Sequence, residues 1–422
     1  MLVWCMAAYV TNVQSTCPCV PQSLCRSLSP QPPPRPEVVA YHGATVPKKR
    51  NAWSGAGLFN NGSSWRNYDW TKVTTIGLFA ELDGDEGYEL LCTAHKHGVR
   101  VLPWSGPAFG HANPIAALYD EYRYKYKDTV AVFHNKTAVD ANAAASVKFV
   151  VENGFDGILL DAEGLSALTP ATTLQLRGDL VHWVAKLRSE LNIALPGSLL
   201  TWTTDQNATH GNDTVYSFAD LGKYVDFFQP MEYCNAGAVP MPNSLPHRIR
   251  YSSRSNDPIW ALTQTVQDYA RFGIGPEQIV MLLPWFGADF RCLGSQNCSR
   301  VAWVPHDPTW WGGQCGQAVD GGPGYSQALN IYHNRSSIGH STGPLLWDSD
   351  SATNYFTWVN STPGTAGNTS RHQLWFDDPR SFGLKVAKVH ALGLRGIGMW
   401  LPEVATSPTD AAAMWAAVHR TY

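Results

Sequence analysis

Phe155-Asp156-Gly157-Ile158-Leu159-Leu160-Asp161-Ala162-Glu163 is the stretch that decides the fold of this 422-residue chain. An apolar run ends on two carboxylates. Side chains alternate along a strand, so Leu159, Asp161 and Glu163 share one face, while Ile158 and Leu160 share the other. A strand that is apolar on both faces and turns acidic only at its C-terminal end reads as a buried parallel strand with polar groups at its mouth. In a barrel of such strands, catalytic groups sit at that end. Two carboxyls this close repel when both are ionised, which raises one pKa. A raised pKa suits a general acid, because the proton must be held until a leaving oxygen needs it. The competing reading makes Asp161 and Glu163 solvated carboxylates after a strand.

Working outward, similar apolar runs recur at Glu37–His42, Val73–Ala80, Val99–Trp104, Gly154–Glu163, Ser198–Thr203, Val225–Tyr233, Ile279–Phe286 and Leu394–Trp400. Helical patterns separate them at Glu86–His97, Val139–Asn153, Ala171–Leu191, Ile259–Phe272, Pro379–Leu392 and Asp410–Thr421, with a less clear one at Thr214–Lys223. Strands alternating with helices indicate βαβ units, and eight of them predict an α/β fold, the (β/α)8 TIM barrel. One connection is too long for a simple crossover. Residues 288–376, rich in Trp, Gly, Ser and Asn, read as a subdomain inserted after strand seven, on the face where active sites lie.

Composition narrows the function. Net charge is −3 and only 15% of residues are charged, with no basic patch or stripe, so no nucleic-acid partner is expected. No run of eighteen apolar residues predicts a membrane span. The sequence lacks H-E-x-x-H, paired C-x-x-C and Walker patterns, so neither a metal nor an organic cofactor is implied. His42, at the end of the first strand, reads as a structural histidine in preference to a group lining the mouth. The 17 tryptophans suit a core, but sugar clefts also use flat aromatic faces beside polar groups.

Cysteines and sequons bear on the compartment. N-x-S/T sequons occur at Asn61, Asn135, Asn207, Asn212, Asn297, Asn334, Asn360 and Asn368; Asn297 is the weakest acceptor because Cys298 fills its middle position. Together with 9 cysteines they favour a secreted or lysosomal glycoprotein. Residues 1–16 read as a signal peptide or its remnant, although no basic n-region precedes the apolar stretch. Removing them takes Cys5 and leaves an even set, which is too many cysteines for pairs to be assigned from sequence. Cys292 and Cys298 are spaced for a local disulfide, with buried thiols as the alternative.

The segment around Asp161 resembles the DGxDxDxE signature of glycoside hydrolase family 18, the chitinase family: Asp156, Gly157, Asp161 and Glu163 match. Further segments are similar to one branch of that family, which degrades the chitobiose core of Asn-linked glycans. They are Cys17-Pro18-Cys19 with Leu24-Cys25-Arg26, Tyr68-Asp69-Trp70, Leu283-Pro284-Trp285-Phe286-Gly287, Trp375-Phe376-Asp377-Asp378-Pro379 with Ser381, and Leu394 to Trp400. The resemblance spans nearly the whole chain and implies one family 18 barrel over 17–422.

It also implies roles. Glu163 falls on the proton donor and Asp161 on the group that orients the substrate's acetamido group. Tyr233, in Gln229-Pro230-Met231-Glu232-Tyr233, falls on the residue that hydrogen-bonds the acetamido carbonyl, with Gln229 and Met231 on the same face. Trp400 falls on the tryptophan that floors the sugar site, while Trp202 and Trp285, near other strand ends, are softer substrate-binding candidates. The implied enzyme cleaves β-1,4 bonds of N-acetylglucosamine oligosaccharides with retention and substrate assistance; a monomer is the separate expectation for its assembly. Two positions depart from the signature: Leu159 replaces an inner carboxylate, and Cys234 replaces the Asp that commonly follows the strand-six tyrosine. The rival readings are an inactive sugar-binding protein on the same fold, which the presence of Glu163 opposes, and an endo-acting chitinase or endoglycosidase.

Overall fold

Eight parallel strands surround one axis in the computed structural model, which describes residues 19–28, 36–43, 64–79, 85–104, 133–161, 170–206, 208, 216–233, 254–293, 298, 301, 323–361 and 370–418. The chain runs β1 (Glu37–His42), β2 (Thr75–Leu78), α1 (Asp85–Lys96), β3 (Arg100–Pro103), α2 (Lys136–Glu152), β4 (Gly157–Asp161), α3 (Pro170–Ala194), β5 (Leu199–Asp205), α4 (Phe218–Leu221), β6 (Phe227–Met231), α5 (Ala261–Ala270) and β7 (Val280–Pro284). It continues through β8 (Ala288–Arg291), α6 (Tyr325–Tyr332), β9 (Gly339–Ser341), β10 (Leu346–Asp348), β11 (Thr353–Asn360), β12 (Ser370–Phe376), α7 (Pro379–Ala391), β13 (Gly396–Trp400) and α8 (Pro408–Ala416).

The barrel order is β3-β2-β1-β13-β7-β6-β5-β4. Its two ends meet: Trp104 bridges Leu159 in parallel, and the Asp156 amide donates to the Val101 carbonyl at 3.0 Å. Every predicted barrel strand is present, most of them shorter than expected. In particular, β4 ends at Asp161, and Glu163 and Cys234 lie outside the described residues, as does the segment 1–16. The weak helix expected at Thr214–Lys223 is the single turn α4.

Local chemistry explains why β4 forms where it does. A Cβ on Gly157 would lie 1.9 Å from the Leu199 carbonyl oxygen, so only glycine lets β4 and β5 approach. Asp156, the first carboxylate of the motif, is fully buried at the opposite end of the strand from the mouth. Its Oδ1 accepts from Ser27 Oγ at 2.9 Å and the Leu28 amide at 2.6 Å; Oδ2 accepts from the Val101 amide at 2.8 Å and faces His95 Nε2 at 3.0 Å. His95 Nδ1 lies 2.6 Å from the Leu24 carbonyl. This carboxylate therefore fastens the N-terminal segment, α1 and β3 beneath β4. The Cys19–Cys92 disulfide holds the same segment to α1.

Inside the barrel the Tyr41 ring fills the space that two glycines leave. A Cβ on Gly77 would sit 3.2 Å from that ring and 3.3 Å from Leu159, and one on Gly398 would sit 3.0 Å from Leu282. Leu159 thus faces the axis, and parity sends Asp161 the same way, one layer nearer the mouth.

After β7 the chain builds an antiparallel sheet of order β10-β11-β12-β8, with β9 also on β11. On one face Phe356 and Phe376 pack against α6 through Tyr332 and Tyr325. The other face carries Ala288, Phe290, Trp375 and Tyr355, with Val301. Cys292 and Cys298 form a disulfide at the end of β8. Asp378, Pro379 and Ser381 then form a capping box that starts α7: the Ser381 amide donates to Asp378 Oδ1 at 2.8 Å.

Candidate active site

Register places the polar groups at the C-terminal mouth. Asp161 pairs with Thr203, Thr203 with Gln229, and Asp205 with Met231. Parallel partners share a face, so Asp161, Thr203 and Gln229 form one inward layer across three strands, with Asp205 and Met231 one layer further out. Gln229 is buried and donates from Nε2 to Thr201 Oγ1 at 3.2 Å. Met231 and the half-exposed Asp205 stand at the rim. Tyr233 lies two residues past β6; its amide donates to the Met231 carbonyl at 2.8 Å, and its ring meets Phe286 edge-on at 5.6 Å.

The wall from β13 through β1 and β2 to β3 is aromatic. Trp400, half-buried at the end of β13, meets Phe79 edge-on at 5.1 Å and Tyr41 at 5.5 Å. Phe79 stacks on Trp104 at 4.8 Å and 14°. Phe79 and Trp104 each follow directly after a parallel strand, β2 and β3, and each is partly exposed. Neither was expected at the site, although this position one residue past a strand end was the signal that could have found them. Asp205 was missed for a related reason: the expected strand stopped at Thr203, two residues short of it.

Two expected sugar contacts are corrected. Trp202 lies between Thr201 and Thr203, which face the axis, so its ring points outward to the helices. It is fully buried, edge-on to Tyr216 at 5.9 Å, within the layer that holds Phe218, Phe228 and Tyr269. Trp285 is also buried, edge-on to Phe382 of α7 and Trp415 of α8 at 5.8 and 5.3 Å. Both are core residues. His42 is likewise buried and pairs with Glu403, which accepts from the Tyr68 hydroxyl at 2.7 Å. Burial, then the Glu403 charge, pushes the Tyr68 hydroxyl well above its ordinary pKa.

A carboxylate on the inward face of a barrel strand, at a mouth with a flat aromatic wall, can hold a sugar ring and stabilise positive charge on it. Among the described residues no group of three or more His, Cys, Asp and Glu side chains is placed to hold a metal, and no helix is long and apolar enough to cross a membrane.

Residues 119–402 match the model of glycosyl hydrolases family 18; the chain belongs to this family and is a glycosidase. Among curated relatives it is 25% identical to di-N-acetylchitobiase of Rattus norvegicus over 363 residues, 84% of each chain. It is 24% identical to probable di-N-acetylchitobiase 1 of Dictyostelium discoideum over 413 residues, 97% of this chain and 94% of that one. In fold it is similar to the Ostrinia furnacalis Group IV chitinase in complex with allosamidin, with a TM-score of 0.62 at 17% identity, covering 90% of this chain and 97% of that one.

Proposed function

We propose that this glycosidase cleaves β-1,4 bonds of N-acetylglucosamine oligosaccharides, including the chitobiose core of Asn-linked glycans, with retention of configuration. The observation that carries the reading is Asp161 on the inward end of β4, at a mouth lined by Trp104 after the neighbouring β3, Phe79 after β2 and Trp400 across the barrel on β13. Similarity to proteins named di-N-acetylchitobiase supports the substrate class.

Glu163, two residues past Asp161, protonates the glycosidic oxygen. The substrate's acetamido oxygen attacks C1, the bond to the leaving sugar breaks, and an oxazolinium forms. Asp161 faces its positive charge, and the Tyr233 hydroxyl holds its oxygen. Glu163 then takes a proton from water, which opens the ring. Leu159 cannot share a proton with Asp161, so charge stabilisation rests on Asp161 and its polar neighbours on β5 and β6. The eight sequons and the disulfides support a secreted or lysosomal glycoprotein. Of the three acceptors within the described residues, Asn135 and Asn334 are exposed and Asn360 half-buried.

Chitotetraose labelled at its reducing end tests the proposal. Labelled N-acetylglucosamine is the expected first labelled product, in keeping with exo attack from that end. Mid-length labelled fragments appearing first would reject exo action, and no turnover at any acidic or neutral pH would reject the substrate assignment.

A further inference from the structure

The sheet that follows β7 carries a second constellation of reactive groups, remote in sequence from the motif around Asp161. Ser370 Oγ lies 2.7 Å from His372 Nε2, and His372 Nδ1 lies 2.7 Å from Asp289 Oδ2. The other oxygen of Asp289 accepts from Trp358 Nε1 at 2.8 Å. The order is hydroxyl, imidazole, carboxylate, with the two imidazole nitrogens split between them. A Ser-His-Asp triad is recognised by this geometry and these roles, not by chain position.

The strands make the arrangement rigid. Ser370 and His372 are two apart on β12 and share a face. Asp289 sits on β8, which pairs with β12 through His372↔Arg291 and Leu374↔Asp289. His372 and Asp289 are buried, at 4% and 5% exposure, whereas Ser370 is partly exposed. A buried carboxylate fixed by an indole N–H keeps Nδ1–H bound, which leaves Nε2 as the acceptor for the serine proton. Arg291, exposed and directly opposite His372, presents a guanidinium on the same face, a group suited to a developing oxyanion.

We propose that Ser370, His372 and Asp289 form a second hydrolytic site, which takes short-chain carboxylic esters. The Ser370 proton moves to His372 Nε2 as Oγ bonds to the carbonyl carbon. The ester C–O bond breaks, and the alcohol leaves with the proton from His372. Water then gives a proton to His372 and attacks the acyl-serine; the carboxylic acid leaves, and Ser370 recovers its proton.

The test is labelling of the folded glycoprotein with a fluorophosphonate probe, mapped by peptide mass spectrometry, alongside hydrolysis of para-nitrophenyl acetate. Ser370 is also the third residue of the Asn368 sequon, so Ser370→Ala removes both hydroxyl and acceptor. Asn368→Gln separates them by removing only the acceptor. The site predicts label on Ser370 in the parent and in Asn368→Gln, none in Ser370→Ala, and a fall in labelling and ester turnover of at least about 10²-fold in His372→Gln. Cleavage of chitotetraose by Ser370→Ala at the parent rate serves as the fold control and keeps this outcome separate from the glycosidase reading. An unlabelled Ser370 in folded parent, or labelling undiminished in His372→Gln, overturns the proposal.

Discussion

Trp400 and Trp202 are both tryptophans near the C-terminal end of a barrel strand, yet they face opposite sides of the barrel wall. Composition cannot separate them; parity can. Asp161 and Thr203 are register partners on the axis side, so Trp202, next to Thr203, must point to the helices. Trp285 follows β7 and packs into the cluster of Phe382 and Trp415. The carboxylates of the motif were legible because a pattern two residues long suffices for a strand. The aromatic wall was not, because Phe79 and Trp104 follow different strands and meet only once β2 and β3 pair. Substitution makes the contrast measurable. Trp400→Ala should raise KM for chitotetraose about tenfold, the loss of about 1.4 kcal/mol of ring packing. Trp202→Phe should leave KM unchanged and cost only about 1–2 kcal/mol of stability, because it loses buried volume alone: Trp202 Nε1 has no hydrogen-bond partner among the described residues. A raised KM in Trp202→Phe would contradict the outward placement.

Elements owe their positions to buried polar groups that hydrophobic pattern alone does not reveal. Lys385 of α7 is an example: it is fully buried on the helix face that also carries Phe382, Val386 and Val389. Its Nζ donates to Asp257 Oδ1 at 2.6 Å and to Asp377 at 2.6 and 2.7 Å. The triad ties α7 to the end of β12 and to residues 254–257, where Asn256 Nδ2 donates to the Phe286 carbonyl at 3.3 Å. Phe286 in turn packs on Tyr233, so this anchor reaches the mouth. Burial disfavours the Lys385 charge, but Asp257 and Asp377 outweigh it and hold the ammonium above its ordinary pKa. Lys385→Met strands two carboxyls in the interior and should cost about 3–5 kcal/mol, read as a lower urea midpoint. A midpoint within error of the parent's would show that the triad does not hold these elements. The eight barrel strands were readable from their apolar runs. The strand ends and the long-range anchors were not, because hydrogen-bonded partners such as Asp156 and Leu28 lie more than a hundred residues apart in the chain.

At the scale of the molecule, buried carboxyls set the response to pH. Burial first, then repulsion from Asp377, pushes Asp257 well above the usual carboxylate range; burial also raises Glu37, although Arg395 beside it opposes the shift. Such groups hold protons in the folded state that the unfolded chain has released. Stability from this source is present below the ordinary carboxylate pKa and is lost as pH rises from there through the raised values. Melting temperature should fall with rising pH across that window more steeply in the parent than in Asp257→Asn, which has no proton to release; equal slopes would reject the assignment. In the proposed mechanism Asp161 stabilises charge and Glu163, two residues on in the sequence, supplies the proton, so that the sugar's own acetamide serves as nucleophile. The most direct measurement is the initial rate of hydrolysis of two chitotetraoses that differ only at the reacting sugar, one with its 2-acetamido group and one with a 2-hydroxyl. The account predicts cleavage of the first with the β-anomer as initial product, and no detectable cleavage of the second; efficient cleavage of the hydroxyl analogue would contradict it.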